Sequence, residues 1–404
     1  MKQRFIQSFP NSGIEQAAID NKELGIPYVA YIEDGNYIDW YTQGVDYSKA
    51  FTLESQADAN TFNITGTSYA YYQLSGVIKH NDGTTEEFSP SQGSVTIDSG
   101  DTIVLWTSQI LPLTNVNITA TKSFKTKGNI MSLVDPNYSA EDAITDLTQV
   151  GSSAFTNLFS GSTTLTDASG LLLPATTLSL DCYESLFHGC TSLTGIPELP
   201  ATTLADYCYI RMFRNCTSLT QVPELPATTL GDYCYSSMFQ NCSSLTTAPV
   251  LPATELANKC YRLMFGGCTN LATAPVLPAT TLADGCYSSM FRYCTSLTQA
   301  QTILPATILA SGCYENMFNG CTSLTTAPEL PATTLARSCY ESMFNGCSSL
   351  NYIKAMFTTT PTTTYTTNWV QGVASTGTFV KNSAATWDVS GVNGIPSGWT
   401  VQEA

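Results

Sequence analysis

Fourteen cysteines are the residues of this chain most suggestive of chemistry, and all lie between positions 182 and 347 of its 404 residues. They form seven pairs of one spacing: Cys182/Cys190, Cys208/Cys216, Cys234/Cys242, Cys260/Cys268, Cys286/Cys294, Cys313/Cys321 and Cys339/Cys347. Three readings are open: disulfide, metal site or buried small hydrophobe. Eight residues on a helix span about 12 Å, beyond the roughly 7 Å reach of a disulfide, so bridges within a pair are not expected. Bridges between neighbouring repeats would leave one cysteine of each column over. Zinc sites want ligands two to four residues apart, and the chain offers neither C-x-x-C nor a histidine beside a pair. The leading reading is a buried, reduced thiol, which implies folding in a reducing compartment.

Other chemistry is sparse. The two histidines, His80 and His188, are far apart, and no HExxH, GxSxG, P-loop or GxGxxG precedes a suitable helix. Asp98 and Asp101 share a turn that could hold calcium, but a bare turn is the simpler reading; His80 reads as a surface residue beside a hairpin turn. No catalytic, metal-binding or cofactor-binding residue is nominated, no cofactor is expected, and the chain reads as non-enzymatic. With 16 basic against 32 acidic residues, a net charge of −16 and no basic cluster, it lacks the cations that nucleic acid or an anionic membrane requires. No run of about eighteen apolar residues occurs, and the opening MKQRFIQSFPNSG has no signal-peptide core, so neither membrane insertion nor Sec export is expected.

The elements that position the cysteines follow from the repeat. Its period is 26 residues, once 27, and a cysteine-free version, Ala154 to Thr166, precedes the array. That gives about eight coils, the first atypical as a capping repeat should be. Leu204, Cys208, Met212 and Cys216 fall four apart with Phe213 beside them, predicting a three-turn helix with one face on the core. Thr202 or Thr203 would cap its start. Gly189, Asn215, Asn241, Gly267, Gly320 or Gly346 would end it in the left-handed conformation, a rule Tyr293 breaks. The other half of each unit, Leu193-Thr194-Gly195-Ile196 and its copies, predicts a strand of three or four residues stopped by Pro197, Pro223, Pro249, Pro275 or Pro328. One strand and one helix per coil make an α/β leucine-rich-repeat solenoid, about 40 Å long at a strand spacing of roughly 4.8 Å.

The whole chain therefore reads as a β-rich multidomain protein. Residues 1–43 form an N-terminal β segment for docking, in which Tyr28, Tyr31, Tyr37 and Trp40 alternate with polar residues about the turn Glu33-Asp34-Gly35-Asn36. Residues 44–130 read as an antiparallel β-sandwich, from runs such as AFTLES, TFNITG and TIVLWTSQ about ten residues apart. The solenoid occupies 131–350. Residues 351–404 leave the period and, with Phe379, Trp387, Ile395 and Trp399, supply a C-terminal cap.

The GCTSLT and NCSSLT segments resemble BspA-type leucine-rich repeats. The longer unit, CYSSMFQNCSSLTTAPVLPATEL from Cys234 to Leu256, is similar to repeats of gut Bacteroidales proteins and of phages that infect them, including crAss-like phages. The resemblance spans roughly 131–404, and it implies surface adhesion or virion attachment without identifying a ligand. The N-terminal IPYVAYIEDGNYIDW also resembles segments at the start of such phage proteins.

Comparison among the repeats locates a candidate binding surface on the strand side: Gln221, Thr247, Thr273, Gln299 and Thr326 in one row, with Glu198, Glu224 and Glu329 in the next. Repeat five breaks the pattern, Ala300-Gln301-Thr302-Ile303 replacing the proline step with one residue added, which would bend the sheet or mark a contact. The tyrosines following the first cysteines are expected to pack between coils, and the slot of His188, Arg214 and Gln240 to be solvated. The leading expectation is a phage virion structural protein, a fibre or tail component folded in the host cytoplasm and facing outward. Its partners would be other virion proteins at the N-terminus and a host-surface glycan or protein at the solenoid, and it could form a homo-oligomer. The alternatives are a Bacteroidales cell-surface adhesin and an intracellular protein-binding scaffold.

Overall fold

The computed structural model describes residues 30–31, 37–38, 49–139 and 143–404. Strands β1 (Ala30–Tyr31) and β2 (Tyr37–Ile38) pair antiparallel, Tyr31 opposite Tyr37. Tyr28 and Trp40 of the expected docking segment lie outside the described residues.

Nine strands follow: β3 (Phe51–Ser55), β4 (Asn60–Gly66), β5 (Leu74–Lys79), β6 (Thr85–Phe88), β7 (Val95–Ile97), β8 (Thr102–Thr107), β9 (Val116–Ala120), β10 (Phe124–Asn129) and β11 (Leu165–Leu172). They build a six-stranded sheet in the order β11-β10-β3-β8-β5-β6 and a three-stranded sheet β7-β4-β9. Within 49–129 every pairing of these strands is antiparallel. Side chains alternate across each strand, so β4 buries Asn60, Phe62 and Ile64 on one face. Phe62 meets Phe124 of the other sheet edge-on, with ring centroids 5.2 Å apart. Strand β11 belongs to the first repeat, yet it adds parallel to β10, so the array starts on a sheet edge that would otherwise be open.

The expected helix is absent; among the described residues there is no α-helix. Each cysteine-bearing segment is instead a run of tight turns with a left-handed residue every fourth position: Tyr207, Arg211 and Asn215 in one repeat, Ser338, Ser342 and Gly346 in another. The amides alternate in their partners. Tyr209, Arg211, Phe213 and Asn215 donate to the carbonyls of Cys234, Ser236, Met238 and Gln240 in the next repeat, at 2.8–3.0 Å. Ile210, Met212, Arg214 and Cys216 donate three residues back within their own repeat, at 3.1–3.2 Å. An α-helix would keep all of these bonds internal; here half of them join neighbours. The spacing of four that suggests a helix is real, but its cause is a four-residue turn unit.

The strand side is also leaner than expected. Instead of strands three or four residues long, the central repeats touch through single parallel bridges such as Thr203↔Thr229, Glu255↔Thr281 and Thr273↔Gln299. Regular parallel strands return after the last cysteine pair, where β12 (Tyr352–Ala355), β13 (Thr378–Lys381) and β14 (Thr400–Glu403) form a three-stranded sheet.

What the thin ladder lacks, the interior supplies. Every repeat stacks its Tyr and Phe on the same residues of its neighbours. Phe187, Phe213, Phe239 and Phe265 lie 5.4–5.8 Å apart between ring centroids and within 5° of parallel. The parallel column Tyr183, Tyr209, Tyr235, Tyr261 keeps spacings of 5.7–5.9 Å. Both rings are buried in each repeat, as are Met212, Met238 and Met264 between them. A fully buried Phe is worth about 1.5–3 kcal/mol, so repetition makes the core. Trp369 closes both columns, 6.1 Å from Tyr340 and from Phe344.

Candidate binding face

The residues of the predicted row emerge together. Gln221, Thr247, Thr273, Gln299 and Thr326 are exposed, one per repeat, and Thr273↔Gln299 and Thr326↔Tyr352 are bridged in register. In the adjoining row Glu198 and Glu224 are exposed, while Glu329 is half-buried and its Oε1 lies 3.0 Å from Lys354 Nζ. Between those carboxylates the row turns apolar, with Val250 80% and Val276 72% exposed, followed by Ile303, which is bridged to Glu329.

Repeat five alters this face. The extra residue lies between Gln299, bridged to Thr273, and Ile303, bridged to Glu329. A groove of about 740 Å³ opens there. Gln299, Gln301, Thr302 and Thr326 line it with Tyr352 and the Lys354–Glu329 pair. Gln301 stands in the proline position, and its Oε1 accepts a hydrogen bond of 2.6 Å from the Leu277 amide of the preceding repeat. Its buried Nε2 has no partner in the protein. Sequence reasoning reached Gln299, Thr326 and Glu329, and marked Gln301 and Thr302 as a bend or contact through the 27-residue spacing, but not Tyr352 or Lys354.

The profile of the BspA type Leucine rich repeat region matches in six copies, over residues 156–298 and 265–368. Together these cover 156–368, more than half of the 404 residues. The chain belongs to the BspA-type leucine-rich repeat family. No curated protein matches it. The rows just described lie within the matched repeats. Such a repeat region points to a protein-binding or adhesion-type protein.

All fourteen thiols of the repeats are free and buried. In the second cysteine column each Sγ donates to the phenylalanine carbonyl of the preceding repeat, as from Cys242 to Phe213 and from Cys268 to Phe239, at 3.1 Å. Burial pushes the Cys242 and Cys294 thiols up to about 12, and that of Cys216 well above its ordinary value. A thiol that stays protonated is neither nucleophile nor metal ligand. Among the described residues no three His, Cys, Asp or Glu side chains converge as a metal site would require.

The histidines and the Asp98/Asp101 turn find structural partners. His80 Nδ1 lies 2.8 Å from Asp101 Oδ2, and this bond raises its pKa. Asp101 is buried; burial opposes its charge, but bonds from His80 and from the amides of Asn81 and Asp98 hold the carboxyl below its usual range. Asp98 is engaged elsewhere, accepting from the Ala59 amide at 2.9 Å. His80 is thus a partly exposed residue beside the turn, tied to a buried carboxylate. His188 is half-buried between Ser160 and Asn215, and burial, then Arg214 and Arg211, lower its pKa. Its slot is less solvated than its variability suggests.

Proposed function

We propose that this protein is a non-enzymatic virion structural component of a phage, fibre or tail-associated, that presents its repeats to a host-surface glycan or protein or to a neighbouring subunit. The observation that carries the binding role is the row Gln221, Thr247, Thr273, Gln299 and Thr326, which exposes one polar side chain per repeat on a scaffold with a continuous core. Repeated side chains on stacked units are how such arrays build extended recognition surfaces. In this reading the repeats form a solenoid of about eight coils, residues 351–404 cap it, and residues 1–43 dock it to other virion proteins. The resemblance to repeats of Bacteroidales phages supports the virion setting. Fourteen buried free thiols fit a chain that folds in the reducing host cytoplasm before release.

Immunogold electron microscopy with antibody to residues 150–350, on phage particles and on uninfected cells of the source culture, tests it. Label on particles is the expected result. Label confined to cell envelopes overturns the virion reading in favour of a Bacteroidales adhesin, and label on neither favours an intracellular scaffold.

A further inference from the structure

We infer that the groove opened by the 27-residue repeat is a saccharide subsite, selective for uncharged sugars, in which the Lys354–Glu329 pair binds a vicinal diol. The inference rests on the proposed reading of this face as a binding surface, and it names the ligand class and the residues. Three observations carry it.

The first is shape. A groove of about 740 Å³ lies within the roughly 300–1,000 Å³ range of small-ligand sites, and threonine hydroxyls and glutamine carboxamides share its lining with apolar atoms. A ligand that fits must exchange many hydrogen bonds with water for as many with the protein, which a polyhydroxylated molecule does.

The second is charge. The two ionic groups in the lining, Lys354 and Glu329, neutralise each other across 3.0 Å. A phosphate, sulfate or carboxylate would meet Glu329, and a cationic ligand Lys354. A neutral diol suits both: its two hydroxyl oxygens stand about one hydrogen-bond length apart, ~2.8 Å. One accepts from the ammonium and the other donates to the carboxylate, with no net charge required of the ligand.

The third is preorganisation. Lys354 and Tyr352 are alternate residues of β12, on its outward face while Ile353 and Ala355 are buried, and so about 6.8 Å apart along the strand. Glu329 is held by its bridge to Ile303, and Tyr352 by its bridge to Thr326. The Tyr352 ring is the aromatic surface of the lining, available to the apolar face of a pyranose. Side chains fixed on paired strands lose little freedom on binding. Gln301 is fixed in the groove wall through its carboxamide oxygen, which accepts from the Leu277 amide.

The test uses the full chain on an immobilised array of neutral and of sialylated or sulfated oligosaccharides, followed by calorimetry with the best neutral ligand. Lys354→Met and Glu329→Gln should each weaken binding at least tenfold. Glu87→Gln, exposed on β6 of the N-terminal sheet, should leave it unchanged. Thermal melting of both groove variants should stay near that of the parent, because both side chains are half-exposed. Binding of acidic glycans alone, no neutral saccharide bound at millimolar concentration, or undiminished binding by both groove variants would each overturn the subsite. Particle labelling by immunogold is independent of all three, so loss of the subsite and loss of the virion reading are separable.

Discussion

Substitution of Ser342 by glycine and by alanine separates the turn architecture from a helix by the sign of one difference. Ser342 lies between Cys339 and Cys347, half-buried, with φ of 52°, and its amide donates to the Thr367 carbonyl at 2.8 Å. In a helix, alanine would be more stable than glycine by about 1 kcal/mol. In the left-handed conformation a Cβ costs about 1–2 kcal/mol, and glycine returns roughly 0.5–1 kcal/mol of that through the greater freedom of its unfolded chain. Ser342→Gly should therefore exceed Ser342→Ala by about 0.5–1 kcal/mol, a swing of about 1.5–2 kcal/mol between the two architectures. With a denaturant slope of about 3 kcal/mol/M, the glycine variant should unfold some 0.2–0.3 M later in urea than the alanine variant. Paired urea titrations followed by tyrosine fluorescence measure this. A later midpoint for alanine would refute the alternating turn bonds and restore the helix.

The other expectations are independent of that one. Phe265→Ala, which removes a fully buried ring stacked on both Phe239 and Phe291, should cost about 3–5 kcal/mol, read as a lowered urea midpoint. Gly320→Ala should destabilise through its left-handed φ of 76° and through collision of the new Cβ with the Tyr293 ring, and adding Tyr293→Asn should recover the collision part. A thiol reagent such as Ellman's should modify none of the buried cysteines in the native protein and all fourteen in guanidinium; fast native labelling would contradict burial. The two histidines should titrate on opposite sides of about 6.5, His80 above and His188 below. Protonated His80 thus contributes stability that is complete below its unfolded pKa and is lost as pH rises through its folded one. Neutral His188 contributes stability that is complete above its unfolded pKa and is lost as pH falls. In NMR titration Asp101→Asn should bring His80 back toward its ordinary value and leave His188 unmoved.

Much of the interior was legible because each position is written many times. The columns of cysteine, tyrosine, methionine and phenylalanine are visible as sequence and return as stacked, buried columns. The backbone that carries them was not legible by the same rule, since both a helix and a chain of four-residue turns place every fourth residue on one side. A strict spacing of four was still a clue. In a helix of 3.6 residues per turn, Leu204, Cys208, Met212 and Cys216 would drift by about 40° at each step. The positions chosen as helix stops, Asn215 and Gly346 among them, do have positive φ, but so do Arg211 and Ser342, whose side chains give no hint of it. In the N-terminal sheets β3 and β4 announce themselves with apolar alternation and β8 with a run of four apolar residues. Strand β6, Thr-Glu-Glu-Phe at a sheet edge, and β10, whose inward residues are Phe124 and Thr126, carry too little of it to be read. The groove was half legible: the extra residue marked the place, but only the fold brings Tyr352 and the Lys354–Glu329 pair to its lining.

The joint between repeats has a consequence for inheritance. Each central unit offers its successor the same amides and rings that it receives from its predecessor. Recombination between near-identical stretches of the gene can therefore delete or duplicate 26 residues and leave every remaining joint of a kind already present. Reach becomes a quantity that drifts between lineages while the architecture holds still. The 27-residue unit is exempt from this interchangeability, because exchanging it for an ordinary one restores the proline step and erases the groove. Its place, two units from the tryptophan-closed end, is an address along the array, and variants of different length should keep that address if the groove is what selection sees.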